Sequence, residues 1–167
     1  MKILVFLQGT VLMHKNAEGK TREEIVRQIK EEEGSVKGYR FYIPVGNAVE
    51  KLQKWKNQGA EIYYLSALTD SGKARADEVV AKEDIEADKV ALNKHGFPDG
   101  EIYHRKSGEE YRDVIERINP LPDVIIEDDC ESIGREEVTW LSLKPELRKR
   151  IKSIVVKGVA SASDPLS

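Results

Sequence analysis

The sequence predicts an α/β domain: a parallel sheet with helices on both faces, three layers in all. Residues 3–7 and 124–126 are uninterrupted apolar runs too short for helices, as expected of strands buried on both faces of a parallel sheet. Between them, strand-like runs alternate with apolar stripes at helical spacing, the rhythm of parallel strands joined by crossover helices. A length of 167 residues suits one hydrophobic core and is short for two. Residues 1–157 therefore read as a single domain, and 158–167, rich in Ser and Ala, as a flexible tail.

The first strand, 3–7, is bounded by Gly9. Thr21 and Glu24 stand at capping-box spacing before Ile25, Val26 and Ile29, which predicts a helix ended by Gly34. Residues 39–43 predict a short strand or extended connection before Pro44. Ala48, Val49, Leu52 and Trp55 recur at helical spacing, and Gly59 stops that helix. Residues 61–65 predict a strand ending at Ser66, 70–95 a charged helical stretch in one or two pieces, and 101–104 a short strand. Ser107 and Glu110 repeat the capping-box spacing ahead of Tyr111, Val114, Ile115 and Ile118, and Asn119-Pro120 closes that helix. Residues 151–156 predict the last strand.

Charge narrows the function classes. Lys and Arg number 27 against 30 Asp and Glu, a formal net charge of -3, which offers no general pull toward nucleic acid or an anionic membrane. Cys130 is the only cysteine, so neither an internal disulfide nor a cysteine-held zinc is available, and a reducing cytoplasm is the expected location. No apolar run is long enough for a membrane span, and 3–7 is too short for a signal-peptide core.

In doubly wound sheets the ligand lies outside the carboxyl ends of the strands. That rule selects residues 8–10, 66–70, 105–107 and 127–131. Gly9 and Thr10 form a tight turn whose amides suit an anion, although a plain strand-to-turn connection has the same look. Ser66 offers a hydroxyl to phosphate, or simply caps a turn. Lys106 offers a point charge, though a lysine before a helix is commonly solvated. Glu127, Asp128 and Asp129 close a buried strand with hard oxygen ligands of the kind Mg²⁺ takes, which distinguishes them from an ordinary solvated acidic loop.

In this order the four strand ends resemble the four motifs of the haloacid-dehalogenase-like (HAD) phosphatases, over residues 1–134. The family's first motif is Asp-x-Asp-Gly-Thr, with a nucleophile and then a general acid. Aligned on Gly9-Thr10, the nucleophile position is Phe6 and the acid position is Gln8. The resemblance implies that Ser66 holds the phosphoryl group and that Lys106, with Lys73 as second candidate, stabilises its charge. It likewise implies that Asp128 and Asp129 anchor Mg²⁺, and that residues 11–45 form a flap and minimal cap over an open site. Residues 93–98 and 126–129 are similar to a nucleotidase-like branch.

Phenylalanine has neither the lone pair nor the charge that an aspartyl-phosphate requires, and Gln8 cannot act as a carboxylic acid. The family's metal also loses the nucleophile's oxygen. The resemblance therefore implies a Rossmannoid pseudoenzyme with a small or absent cap. It would lack the standard hydrolase activity, retain a site for a small phosphorylated ligand or nucleotide, and hold Mg²⁺ weakly. Two other readings stand beside it. One is a metal-dependent phosphohydrolase using metal-activated water, with His14 or His104 as base. The other is a partner-binding domain presenting Tyr39, Phe41, Tyr42 and Trp55, although Trp55, on the apolar stripe of its helix, reads first as a core residue.

Overall fold

The computed structural model of the chain describes residues 1–15, 18–21, 23–24, 27–28, 38–70, 85–128 and 138–156. In chain order these form β1 (Lys2–Phe6), β2 (Leu12–Met13), β3 (Ile43–Pro44), α1 (Ala48–Asn57), β4 (Glu61–Thr69), α2 (Ala87–His95), β5 (Ile102–Arg105), α3 (Tyr111–Arg117), β6 (Val124–Asp128), α4 (Pro145–Arg150) and β7 (Lys152–Val156). Short 3-10 helices lie at Tyr39–Phe41 and Thr139–Ser142. No helix among the described residues is long and apolar enough to cross a membrane.

Beyond Lys2, β1 is apolar because it has no solvent face: every one of its residues is buried. It pairs in parallel with β4 on one side, Ile3 opposite Ile62, and with β6 on the other, Ile3 opposite Val124. The sheet order β5-β4-β1-β6-β7 is parallel throughout and flanked by helices. Numbered among the parallel strands alone, this is third, second, first, fourth, fifth, an order compatible with a Rossmann-like fold. The order reverses at β1, so the carboxyl ends of β4, β1 and β6 lie side by side. β2 and β3 form a separate antiparallel pair within the expected flap.

Several boundaries differ from expectation. β4 does not end at Ser66 but runs on to Thr69, with a register irregularity against β5 between Leu65 and Thr69. Ser66 reads as a turn residue, yet the apolar Ala67 and Leu68 beyond it carry no signal that would stop the strand. Residues 39–41 are a 3-10 turn followed by extended backbone at Tyr42, and the strand itself is confined to Ile43 and Pro44. The capping box of α3 lies three residues later than predicted: the side chain of Glu110 accepts from the amide of Asp113, and Asp113 accepts from the amide of Glu110 at 2.8 Å. Gly108, at φ 83°, puts a left-handed turn where the first box would have begun the helix. Of the charged stretch 70–95, the described helix is Ala87–His95, closed by Gly96 at φ 77°. At Thr21 the expected cap is present, with the amide of Glu24 donating to its hydroxyl at 3.3 Å. Ile25, Val26, Ile29 and Gly34 of that helix, and the tail 158–167, lie outside the described residues.

α4 was not anticipated, since a six-residue charged helix has no apolar stripe to read. Pro145 at its start and Arg148, Lys149 and Arg150 in its last turn suit the ends of a helix dipole. The aromatic patch is also corrected. Tyr39 and Tyr42 are buried and only Phe41 is exposed, at 66%, so these three do not share a surface, while Trp55 lies in the core as its place on the apolar stripe implies.

At the opposite, amino end of the sheet, Lys2 is buried beneath two rings. Its ammonium lies 4.3 Å from the centroid of Tyr63 and donates to the carbonyl of Pro120 at 2.7 Å. Nearby, Gly100 abuts β4 so closely that a Cβ there would fall 2.1 Å from the carbonyl oxygen of Ile62. Because the obstacle is backbone, Gly100→Ala is expected to cost about 2 kcal/mol of stability, measured by urea denaturation. An unchanged midpoint would show that this edge can spread.

Candidate functional site

The turn after β1 is built on one carbonyl. The oxygen of Leu7 accepts the amides of Thr10, Val11 and Leu12 at 3.2, 3.1 and 3.0 Å, and the amide of Gly9 donates to Leu12 at 2.8 Å. Gly9 takes φ 88°, which a side chain would resist. The Gly9 and Thr10 amides are thus used inside the turn. The hydroxyl of Thr10 accepts the amide of Asp128 at 3.0 Å, tying this turn to the end of β6.

Phe6 faces the core. Its ring meets Tyr111 of α3 edge-on, centroids 5.0 Å apart at 61°. Gln8 lies two residues on, and both ends of its amide are engaged. Its oxygen accepts the amide of Ala67 at 2.8 Å, and its nitrogen donates to Asp88 at 2.5 Å. An N–H on one side and a carboxylate on the other fix the orientation of that amide.

Asp88 is the residue that the sequence did not single out. It sits in the first turn of α2 and is fully buried. Besides Gln8 it receives the hydroxyl of Ser66, which in turn accepts the amide of Leu68 at 3.0 Å. Ser66 is therefore a buried strand residue beside the irregular part of β4, with its hydroxyl committed on both sides. His104 of β5 approaches the same carboxylate, with Nε2 3.9 Å from Oδ2. Burial holds the His104 pKa below its ordinary value, against the opposing pull of Glu86 and Asp70. Gln8, Ser66, Asp88 and His104 thus form one polar cluster across the ends of β1, β4 and β5.

The buried cation at the end of β5 is Arg105 rather than Lys106. Lys106 is exposed, and its backbone amide donates to Glu109 at 2.6 Å. Arg105 is almost wholly buried, donates to the carbonyls of Ala67 and Glu109 at 2.9 Å each, and lies 5.7 Å from the ring centroid of Tyr111. Successive strand residues point to opposite sides, so neighbouring cations part company at the strand's end.

Glu127 and Asp128 are the last two residues of β6 rather than a loop beyond it. Glu127 turns inward and accepts the amides of Thr139 and Trp140 at 2.8 and 3.1 Å, holding the start of the 3-10 helix. Desolvation pushes its pKa up to about 7, despite those two donors. Asp128 lies beside Thr10. Asp129 and Lys73 lie outside the described residues.

Among the described residues no group of three or more His, Cys, Asp or Glu is arranged to hold a metal. Phe6 supplies no oxygen, and the amide oxygen of Gln8 is taken by Ala67. Compared with known proteins, the chain matches no family model, no curated protein and no solved structure.

Proposed function

We propose that this chain is a HAD-like domain of the phosphatase superfamily that binds a small phosphorylated ligand, such as a nucleotide, without aspartyl-phosphate chemistry. The observation that carries the reading is the pairing of Phe6 and Gln8. Phe6 is packed against Tyr111, while Gln8 is bonded across to β4 and α2, so neither position offers a free carboxylate to phosphorus. The strand order supports the family assignment by bringing the ends of β1, β4 and β6 together. Gln8 and Ser66, which at the ends of β1 and β4 both donate to the carboxylate of Asp88, support an anion as the ligand. Any Mg²⁺ would rest on Asp128 and Asp129 alone and bind weakly. The lone cysteine fits a cytoplasmic protein.

Ligand binding to the folded state raises the melting temperature. At about 100-fold excess over Kd it contributes about 2.7 kcal/mol, or about 5–10 °C for a domain of this size. Inorganic phosphate and nucleoside phosphates are expected to produce such a shift with or without Mg²⁺, and no hydrolysis. Two results would overturn the reading: no binding of any phosphate compound, or Mg²⁺-dependent turnover that Asp128→Ala abolishes. The second result would favour a metal-dependent phosphohydrolase.

A further inference from the structure

We infer that the Asp88 carboxylate is a resident stand-in for the ligand, occupying the anion position between Gln8 and Ser66, and that a small oxyanion of the phosphate type binds by displacing it. The inference rests on the phosphate-binding reading and adds which groups hold the anion and what competes for them.

The donors of this cluster already hold an anion. The amide nitrogen of Gln8 and the hydroxyl of Ser66 point to the two different oxygens of Asp88. Two carboxylate oxygens make the same demand on hydrogen-bond donors as two oxygens of a phosphoryl group. The donors come from β1 and β4 of the sheet, whereas Asp88 comes from α2, so it can be withdrawn without breaking a strand pairing. Behind the donors, the guanidinium of Arg105 is bonded to the carbonyl of Ala67, the residue whose amide anchors Gln8.

The carboxylate leaves one approach incomplete. Nε2 of His104 is 3.9 Å from Asp88, beyond hydrogen-bond length, and the imidazole is 18% exposed. A tetrahedral oxyanion is larger than a carboxylate and carries more oxygens, so it would reach His104 while keeping Gln8 and Ser66. The helix bearing Asp88 also packs against the 3-10 turn Tyr39–Phe41 and β3. Withdrawal of Asp88 would therefore be felt in the flap.

Titration calorimetry of the full chain with inorganic phosphate, at constant ionic strength set with chloride, tests this. Phosphate is expected to bind Asp88→Ala at least tenfold more tightly than the unaltered protein, with Asp88→Asn between them. Adding Ser66→Ala to Asp88→Asn is expected to remove the gain. If Asp88→Ala does not fold, Asp88→Asn alone decides, because its amide keeps the volume and loses the charge. Phosphate binding to the unaltered protein with no tightening in a folded Asp88 variant overturns the displacement and leaves the phosphate reading standing. No binding to any folded form overturns both.

Discussion

Asp88→Ala is expected to lower the free energy of unfolding by about 3–5 kcal/mol, since it leaves two buried neutral donors without acceptors at about 1–3 kcal/mol each. The reason lies in what remains. The amide nitrogen of Gln8 and the hydroxyl of Ser66 would lose the oxygens they donate to, in a place where Ser66 is fully buried. A buried donor without an acceptor forfeits its hydration and gains nothing in return. Asp88→Asn is expected to cost less, about 1–2 kcal/mol. Its amide oxygen still accepts from Gln8, and its NH₂ can donate to Ser66, whose hydroxyl oxygen has a second lone pair beyond the one that Leu68 uses. Urea denaturation reads both as shifts in midpoint at unchanged slope. If Asp88→Ala lies within 1 kcal/mol of the unaltered protein, the cluster does not bind β1, β4 and α2 together as described.

The contrast between Asp88 and β1 shows what a sequence discloses. β1 and β6 are legible because burial on both faces leaves an uninterrupted apolar centre, Ile3 to Phe6 and Val124 to Ile126, with charged residues only at the strand ends. α1 is legible because Leu52 and Trp55 must share one face. Asp88 is one acid among many in a charged stretch, and its partner Gln8 is eighty residues away. Nothing in its neighbours marks it as buried. Arg105 was open to a finer reading: it shares a strand face with Tyr103, and parity separates it from Lys106. The motif pattern drew attention to Lys106 instead. Parity also separates Glu127 from Asp128, which together look like a single acidic cluster. Sequence spacing located the strands to within a few residues, and the facing of individual side chains at their ends required the structure.

Glu127 carries the second large effect, and its sign is opposite to that of an ordinary ion-paired carboxylate. Burial raises its pKa from the usual 4.5 to about 7. Between those values the folded chain retains a proton that the unfolded chain has released. Unfolding then releases that proton, so stability falls as pH rises across the window and levels off above it. The full change is of the order of 3 kcal/mol. Other carboxylates slope the opposite way, so the effect is read as a difference from Glu127→Gln, which cannot ionise. That variant is expected to lose the decline between about pH 4.5 and 7, at the cost of one of the two acceptors serving Thr139 and Trp140. Glu127→Ala removes both acceptors and is expected to lose about 3 kcal/mol at pH 5, where the native side chain is protonated and uncharged. The 3-10 helix that Glu127 holds carries Trp140, whose indole donates to Ile151 just ahead of β7, so the loss should extend to that edge of the sheet. Hydrogen exchange would then speed up in β7 while β1 stays protected. Parallel pH profiles for the unaltered protein and Glu127→Gln would mean that the two backbone donors keep Glu127 ionised, outweighing its burial.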